Sequence, residues 1–462
     1  MKVNGDLAVF NIHAKQALTE NGWQSDVQIS VSDDGRITAV GPQTSQASHT
    51  LDLVLPAPTN LHSHAFQRAM SGLTEGRGPD PKDSFWTWRK LMYRFLDQLT
   101  PDQVEAIASL VFMEMLEAGY GSVVEFHYLH HDVGGQTYEN LAEMSERIVA
   151  AADQTGIGLT LLPVLYQFGG CDRRPLAGGQ KRFSNDPEQY LRLHEAASAA
   201  VGQGPDDFNI GVAPHSLRAV DTDGMASVIG LGDGPIHMHL AEQVAEVEEV
   251  LHHRGARPTE WLLDNYDVNK DWCLIHCTQM NSDETRNLAK TGAVAGLCPI
   301  TESNLGDGIF NGTDFLSSGG TVGFGSDSNV HISLFDELRV LEYSQRLRDR
   351  SRAALATREK STGRVLFEQA TLGGRQAAGR ECGVVRAGAF ADLIGINTLN
   401  HRLMGRRKDV ALDTMIFGGH GQTSITDVWS AGRHVVRNSK HTVREKITNS
   451  YVEALEALQG DL

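Results

Sequence analysis

The sequence predicts an α/β protein: a (β/α)8 TIM-like barrel with a small β-sandwich domain built from both chain ends. Three observations predict it. From Leu55 onward, short apolar runs rich in β-formers alternate with longer helical patterns, which reads as parallel strands joined by crossover helices. Eight such units fit in about 320 residues, the number a closed barrel needs. Both ends of the chain read as short strands; the N-terminal unit is too short for a large core of its own, and the C-terminal strands are expected to join it in one small β domain. The expected division is residues 1–55 with 383–440 as the small β domain, 56–382 as the barrel, and 441–462 as a C-terminal helix.

The elements follow in order. Ala8 to Ile12, Asp26 to Val31 and Ile37 to Val40 are β-prone, with Asp33-Asp34-Gly35 as a turn between the last two. The barrel strands are expected at Leu53–Leu61, Ser122–Tyr128, Gly158–Tyr166, Asn209–Pro214, Ile236–Leu240, Trp272–Cys277, Ala293–Cys298 and Thr321–Gly325. Helices are expected at Pro101–Glu117, Thr137–Thr155, Pro187–Val201 and Glu242–Arg254, the first opened by Thr100 as cap and Pro101 in the first turn. An open doubly wound sheet is the alternative. It usually carries a glycine-rich phosphate turn after its first strand, where this chain has Asn60-Leu61-His62-Ser63-His64. β character returns after about residue 380, in Gly383-Val384-Val385, Ala391–Ile394, Ser424–Trp429 and Arg433–Arg437, and Val443–Gln459 forms a last helix.

The 462 residues are 40% hydrophobic and 21% charged, which fits a globular protein with a sizeable core. A formal net charge of -17 opposes nucleic acid and anionic membranes as partners, and an anionic substrate would need a local positive pocket. The five cysteines, Cys171, Cys273, Cys277, Cys298 and Cys382, show no Cys-x-x-Cys spacing. They read as reduced core thiols of a cytoplasmic protein. Met1–Ala17 has no charged region followed by an apolar run, so no signal peptide is expected. No stretch approaches 18 uninterrupted apolar residues.

The chemistry lies at the predicted strand ends. In an extended strand residues i and i+2 face the same side, so His62 and His64 aim two imidazoles at one point. A bare His-x-His is weak evidence, because many such pairs are accidental. The fifth strand ends in Ile236-His237-Met238-His239-Leu240-Ala241-Glu242, the sixth in Ile275-His276-Cys277, and the eighth in Gly325-Ser326-Asp327. Ends of different strands converge at a barrel's C-terminal mouth, and ligand-type side chains on four of them are what a metal-dependent hydrolase requires. His237 and His239 both face the side that a fifth-strand ligand would occupy.

These residues, with Gly388-x-x-Ala391-Asp392-Leu393-Ile394 in the terminal β unit, resemble the amidohydrolase superfamily over almost the whole chain. The resemblance implies a metal held by His62, His64, His239 and Asp327, because His239 and Glu242 reproduce the His-x-x-Glu of its deaminase branch. His237 then lies deeper as a hydrogen-bonded core residue. The fourth strand ends Val212-Ala213-Pro214-His215, without the lysine that often bridges two metals in this superfamily. One ion per subunit is therefore implied, with zinc first and iron or manganese as alternatives. Glu242 is the implied proton shuttle between water and the leaving nitrogen, with His276 and Asp327 completing the catalytic set.

The resemblance narrows at His62-Ser63-His64-Ala65-Phe66-Gln67-Arg68, Ser84-Phe85-Trp86-Thr87-Trp88-Arg89, Glu125-Phe126-His127-Tyr128, Leu162-Pro163-Val164-Leu165-Tyr166 and Cys298-Pro299-x-Thr301-Glu302-x-Asn304. Together these are similar to the formimidoylglutamate deiminases. That similarity implies a small dicarboxylate substrate lined by Gln67, Arg89, Tyr128, His215 and Arg218, and a homodimer. Two carboxylates on so acidic a protein call for arginine forks, and Arg89 and Arg218 offer them. Trp86 and Trp88 are expected to shape a lid. One departure stands in the loop Gln167-Phe168-Gly169-Gly170-Cys171-Asp172, which is shorter than the family's. The competing readings are a purine or pyrimidine aminohydrolase with the same metal and base, and a non-enzymatic barrel, in which metal ligands should have been lost.

Overall fold

A computed structural model describes residues 9–73, 75, 92, 93, 95–232 and 234–459. The chain opens with β1 (Phe10–Thr19), β2 (Gly22–Val31), β3 (Ile37–Pro42) and β4 (His49–Pro56). The barrel strands are β5 (Thr59–Ser63), β6 (Ser122–His127), β7 (Gly158–Leu165), β8 (Asn209–Ile210), β9 (Ala213–Pro214), β10 (Ile236–Leu240), β11 (Trp272–His276), β12 (Val294–Leu297) and β13 (Thr321–Phe324). The chain closes with β14 (Leu393–Ile396), β15 (Ile425–Ser430), β16 (Arg433–Arg437), β17 (Lys440–His441) and a helix over Arg444–Gln459. No helix among the described residues is long and apolar enough to cross a membrane.

Parallel pairing runs all the way round the barrel. One sheet is ordered β5-β6-β7-β8, with β9 also on β7, and the other β10-β11-β12-β13. Parallel bridges join them at both seams: Val212 to Ile236 and Ser216 to His239 on one side, Ser63 to Asp327 on the other. The helix Thr362–Ala378 packs on β13 and β5, and glycine permits the close approach. A Cβ at Gly373 would lie 2.1 Å from the Val322 carbonyl oxygen.

The single strand expected over Leu53–Leu61 is two strands. Pro56 and Pro58 bring no N–H to a ladder, and the chain changes sheet between them, with Ala57 N–H bonded to Asp392 O at 2.9 Å. The fourth strand is likewise split, because Gly211 N–H turns to Leu161 O and Val212 N–H to Pro235 O. The helix expected from Thr137 begins at Glu143, since the Asn140 side chain accepts from Ala142 N–H and holds a turn ahead of it. The helix expected from Glu242 begins at Val244.

Strands from both chain ends form one mixed sheet of eight, ordered β17-β16-β15-β14-β4-β1-β2-β3, with β1 parallel to β4. Its residues supply two cores. Ile12, Ala14, Val27, Ile29, Leu393 and Trp429 belong to a cluster of the sheet's own. Leu53, Leu55, Ile394, Ile396 and Val428 belong to the large barrel core. The last helix packs on the helix Pro101–Glu117 through Ile447, Leu110 and Met113.

A buried ion cluster fastens the sheet to the N-terminal side of the barrel. Asp207, just before β8, takes Arg433 at 2.7 Å and Arg380 at 2.9 Å, and Arg380 also reaches Asp392, just before β14, at 3.1 Å. Asp392 accepts in addition from Ala431 N–H at 2.6 Å. Removing one member leaves buried charges without partners, which typically costs ~3–5 kcal/mol. Arg380→Met should therefore lower the urea midpoint by a corresponding amount, and an unchanged midpoint would show that the cluster does not hold the two parts together.

Candidate active site

The first strand turns three histidines into one problem of geometry. The rings of His62 and His64 lie 4.6 Å apart centre to centre, and that of His239 lies 4.9 Å from His62. One nitrogen from each of the three falls within 4.8 Å of the others. His64 Nδ1 is 2.9 Å from Phe126 O and His239 Nδ1 is 3.2 Å from His215 O. Donation to those carbonyls puts the proton on Nδ1 and leaves each Nε2 lone pair facing inward. Both ring nitrogens of His62 are buried with no hydrogen-bond partner. A buried imidazole with two orphaned nitrogens has no structural account without a ligand, so the residues fit a cation.

Asp327 completes the set. Its Oδ1 lies 3.6 Å from His62 Nε2 and 3.3 Å from His64 Nε2. Burial keeps the histidines neutral: it lowers His64 to about 3 and His62 and His239 well below their usual value. Burial also raises Asp327 to about 7, which a cation beside it would reverse. His237, the other candidate on this strand, bonds Ala377 O through Nε2 at 2.8 Å and stands outside the trio.

A second group borders the first. Glu242 lies in the loop ahead of its helix, where the Glu246 carboxylate accepts from the N–H groups of Ala241 at 3.1 Å and Glu242 at 3.0 Å. Its Oε1 is 3.9 Å from His276 Nε2, and Asp327 Oδ2 lies at the same distance from that nitrogen. The other face of the ring meets Glu302, with Oε1 3.3 Å from His276 Nδ1. Burial works to lower His276, but Glu242, Glu302 and Asp327 outweigh it and raise the ring to about 10. Several residues here turn left-handed without being glycine: Ala241 at φ 51°, His276 at 71°, Cys277 at 53° and Asp327 at 46°. Such backbone is held against its preference, and it collects at strand ends where side chains must be aimed.

Gln67, Tyr128, His215 and Arg218 line one cavity of about 560 Å³, open mouth included, together with His64, His239, Glu242, His276 and Asp327. Gln67 Nε2 donates to Tyr128 Oη at 2.7 Å, and its Oε1 is buried without a partner. Arg218 is only 9% exposed and its Nε has no acceptor. His215 bonds Ser216 Oγ at 3.0 Å and packs on Tyr166, ring centres 4.3 Å apart. Arg89, Trp86 and Trp88 lie outside the described residues.

The sequence run Cys298-Pro299-x-Thr301-Glu302-x-Asn304-Leu305-Gly306-Asp307-Gly308 contains Glu302 and Asp307, but sequence reasoning gave neither a role. Glu302 stands in the quoted Cys298-Pro299-x-Thr301-Glu302 run after the seventh strand, yet its partner His276 comes from the sixth. Burial raises the Asp307 carboxyl to about 9, beside Glu242, and Gln243 donates to it. Cys298, expected as core filler, also lies close to His276 and Asp327.

A parallel barrel with three inward histidines and a carboxylate at one mouth is the architecture of metal-dependent barrel hydrolases. Residues 53–435 match the model of the Amidohydrolase family, and residues 10–48 match that of the Formimidoylglutamate deiminase HutF, N-terminal domain. The chain belongs to the amidohydrolase family. It is 45% identical over 452 residues to a formimidoylglutamate deiminase of Pseudomonas aeruginosa, covering 97% of this chain and 99% of that one. A 5-methylthioadenosine/S-adenosylhomocysteine deaminase of Natronomonas pharaonis is 28% identical over 379 residues, 78% of each chain. The crystal structure of an amidohydrolase from Brucella melitensis superposes with a TM-score of 0.93 at 47% identity, covering 97% of this chain and all of that one. An adenosine deaminase of Xanthomonas campestris with bound zinc shares the fold at a TM-score of 0.81 and 20% identity, over 97% and 98% of the two chains.

The two strand histidines give a direct test. His62→Ala and His239→Ala should each lower zinc affinity by more than about tenfold, measured by metal analysis after chelation and reloading. His237→Gln should bind zinc like the unaltered protein. Loss of zinc in His237→Gln alone would assign the ligand to the wrong histidine.

Proposed function

We propose that the protein hydrolyses the formimino group of N-formimidoyl-L-glutamate, giving N-formyl-L-glutamate and ammonia in histidine degradation. The observation that carries this reading is one cavity in which His64 and His239 of the three-histidine cluster, Glu242 and the buried Arg218, whose Nε has no acceptor, meet. A nucleobase would present no carboxylate to Arg218, so the same observation disfavours a purine or pyrimidine aminohydrolase.

The substrate carries two carboxylates and a trigonal carbon bearing the nitrogen to be lost. Arg218 Nε lacks an acceptor and takes one carboxylate, and Arg89 is assigned to the other. Gln67 Oε1 accepts from an amidine N–H, while Tyr128, tied to Gln67, holds that amide in place. His62, His64, His239 and Asp327 would hold a divalent cation, zinc in this reading, which lowers the pKa of water toward ~7 and acts as a Lewis acid. Glu242 takes a proton from the attacking water and delivers it to the departing nitrogen, so that ammonia and not an amide anion leaves. His276 is held at Nδ1 by Glu302, and its Nε2–H steadies the tetrahedral centre. Asp327 Oδ2, facing His276, passes the second proton. The same reading carries a cytoplasmic setting and a homodimer.

Ammonia release separates the alternatives when N-formimidoyl-L-glutamate is offered beside N-formimidoyl-L-aspartate, guanine and cytosine. The first compound should be turned over; turnover of a nucleobase in its place would overturn the assignment. Glu242→Gln should keep its zinc and lose about 10²–10⁴ in kcat. Arg218→Met should raise KM by roughly 10–100-fold, the worth of charge-assisted hydrogen bonds at ~1.5–3 kcal/mol. Unchanged kinetics in Arg218→Met would end the dicarboxylate argument.

A further inference from the structure

Asp327 faces two ways. Its Oδ1 approaches His62 and His64, whereas its Oδ2 lies 3.9 Å from His276 Nε2. Cys298, fully buried and free, stands near both His276 and Asp327. One ligand atom each from His276, Cys298 and Asp327 falls within 4.8 Å of the other two, as close a grouping as that of His62, His64 and His239. The three residues come from neighbouring positions in the barrel, at or just beyond the ends of β11, β12 and β13. Glu242 borders the group through its 3.9 Å contact with His276 Nε2.

We propose that His276, Cys298 and Asp327 form a second cation site, selective for soft dications such as Zn²⁺ and Cd²⁺, whose occupation inhibits the enzyme. Imidazole, thiolate and carboxylate together are a donor set for zinc or cadmium and a poor one for magnesium or calcium. The Asp327 carboxylate bridges the two positions, one oxygen to each. It does so without the fourth-strand lysine that the chain lacks. Binding exchanges two protons for the ion: Cys298–SH, the Nε2–H of the His276 imidazolium and M²⁺ give a metal-bound thiolate and imidazole and two H⁺, which pass to solvent. No electron moves.

Inhibition rests on the function proposed above. An ion on this side takes His276 Nε2 and Asp327 Oδ2 as ligands, the two groups assigned there to the tetrahedral centre and the second proton. The site would fill after the three-histidine position, since it draws on a carboxylate already shared and must displace two protons, from Cys298 and from His276.

The test uses holoenzyme carrying one zinc per chain, titrated with Cd²⁺ or Co²⁺. Bound metal, the thiolate-to-metal charge-transfer band in the ultraviolet and ammonia release are followed together. One further equivalent should bind, the band should grow with it, and activity should fall in step. Cys298→Ala and Cys298→Ser should retain the first zinc and the starting activity. Neither should show the band, and the inhibiting concentration should rise by about 10–100-fold or more. Absence of the band in the unaltered protein, or its persistence in both variants, would overturn the site. Inhibition equally strong in both variants would overturn its inhibitory role. A band with one added equivalent in a protein inactive on N-formimidoyl-L-glutamate would uphold the site and reject the function on which the inhibition rests.

Discussion

The site depends on the seam between the first and last barrel strands. Two backbone hydrogen bonds of 2.9 Å cross it, from Asp327 N–H to His62 O and from His64 N–H to Asp327 O. They lock His62 on β5, and His64 just beyond it, to the Asp327 carboxylate beyond β13, in a register that leaves no freedom of one residue. Buried side chains fix the same seam. Asn60 donates to Ser326 Oγ at 2.6 Å and accepts from Ser326 N–H at 3.1 Å; Ser326 Oγ donates to Asn329 Oδ1 at 2.6 Å, and Asn329 donates to Ser63 Oγ at 3.1 Å. Gly325 allows the approach, since a Cβ there would meet the His62 carbonyl oxygen at 2.7 Å. A network of this kind holds only when every member is satisfied.

Electrostatics then follow from burial. His62, His64 and His239 are kept neutral, and burial raises Asp327 and Asp307. Glu125 is a further case: burial raises it to about 8 while it accepts from Ala65 N–H at 2.7 Å, steadying the turn just after His64. His276 is the exception, raised to about 10 against burial by Glu242, Glu302 and Asp327. Without a cation the site is a cluster of unsatisfied groups; with one, the same groups have partners. The left-handed residues at the strand ends are the conformational cost of aiming them.

Much of this was legible in the sequence because periodicity speaks for it directly. His62 and His64 stand two apart on an apolar strand, and strand–helix alternation gives the barrel that brings His239, His276 and Asp327 to the same mouth. Legibility ended where a function depends on a spatial neighbour from another strand. Glu302 stands in the short helix Pro299–Leu305, and only the fold sets it on His276. Arg380 and Asp207 are 173 positions apart, and no local pattern couples them to Asp392 and Arg433. The strand boundary at Pro56-Ala57-Pro58 was blurred by an apolar run that continues through it, although the prolines themselves mark the break. The parallel pairing of β1 with β4 is invisible to alternation, which fixes a strand's faces and not its neighbour.

The central claim is that one cation, the base Glu242 and a carboxylate-binding Arg218 act on one substrate in this cavity. Diffraction from crystals of Glu242→Gln with N-formimidoyl-L-glutamate, measured at the zinc absorption edge without added metal, tests it most directly. The account predicts an anomalous peak about 2.0–2.2 Å from nitrogens of His62, His64 and His239 and from an Asp327 oxygen, with a substrate carboxylate on Arg218. A peak away from the three histidines, or a substrate whose carboxylates turn from Arg218, would contradict it.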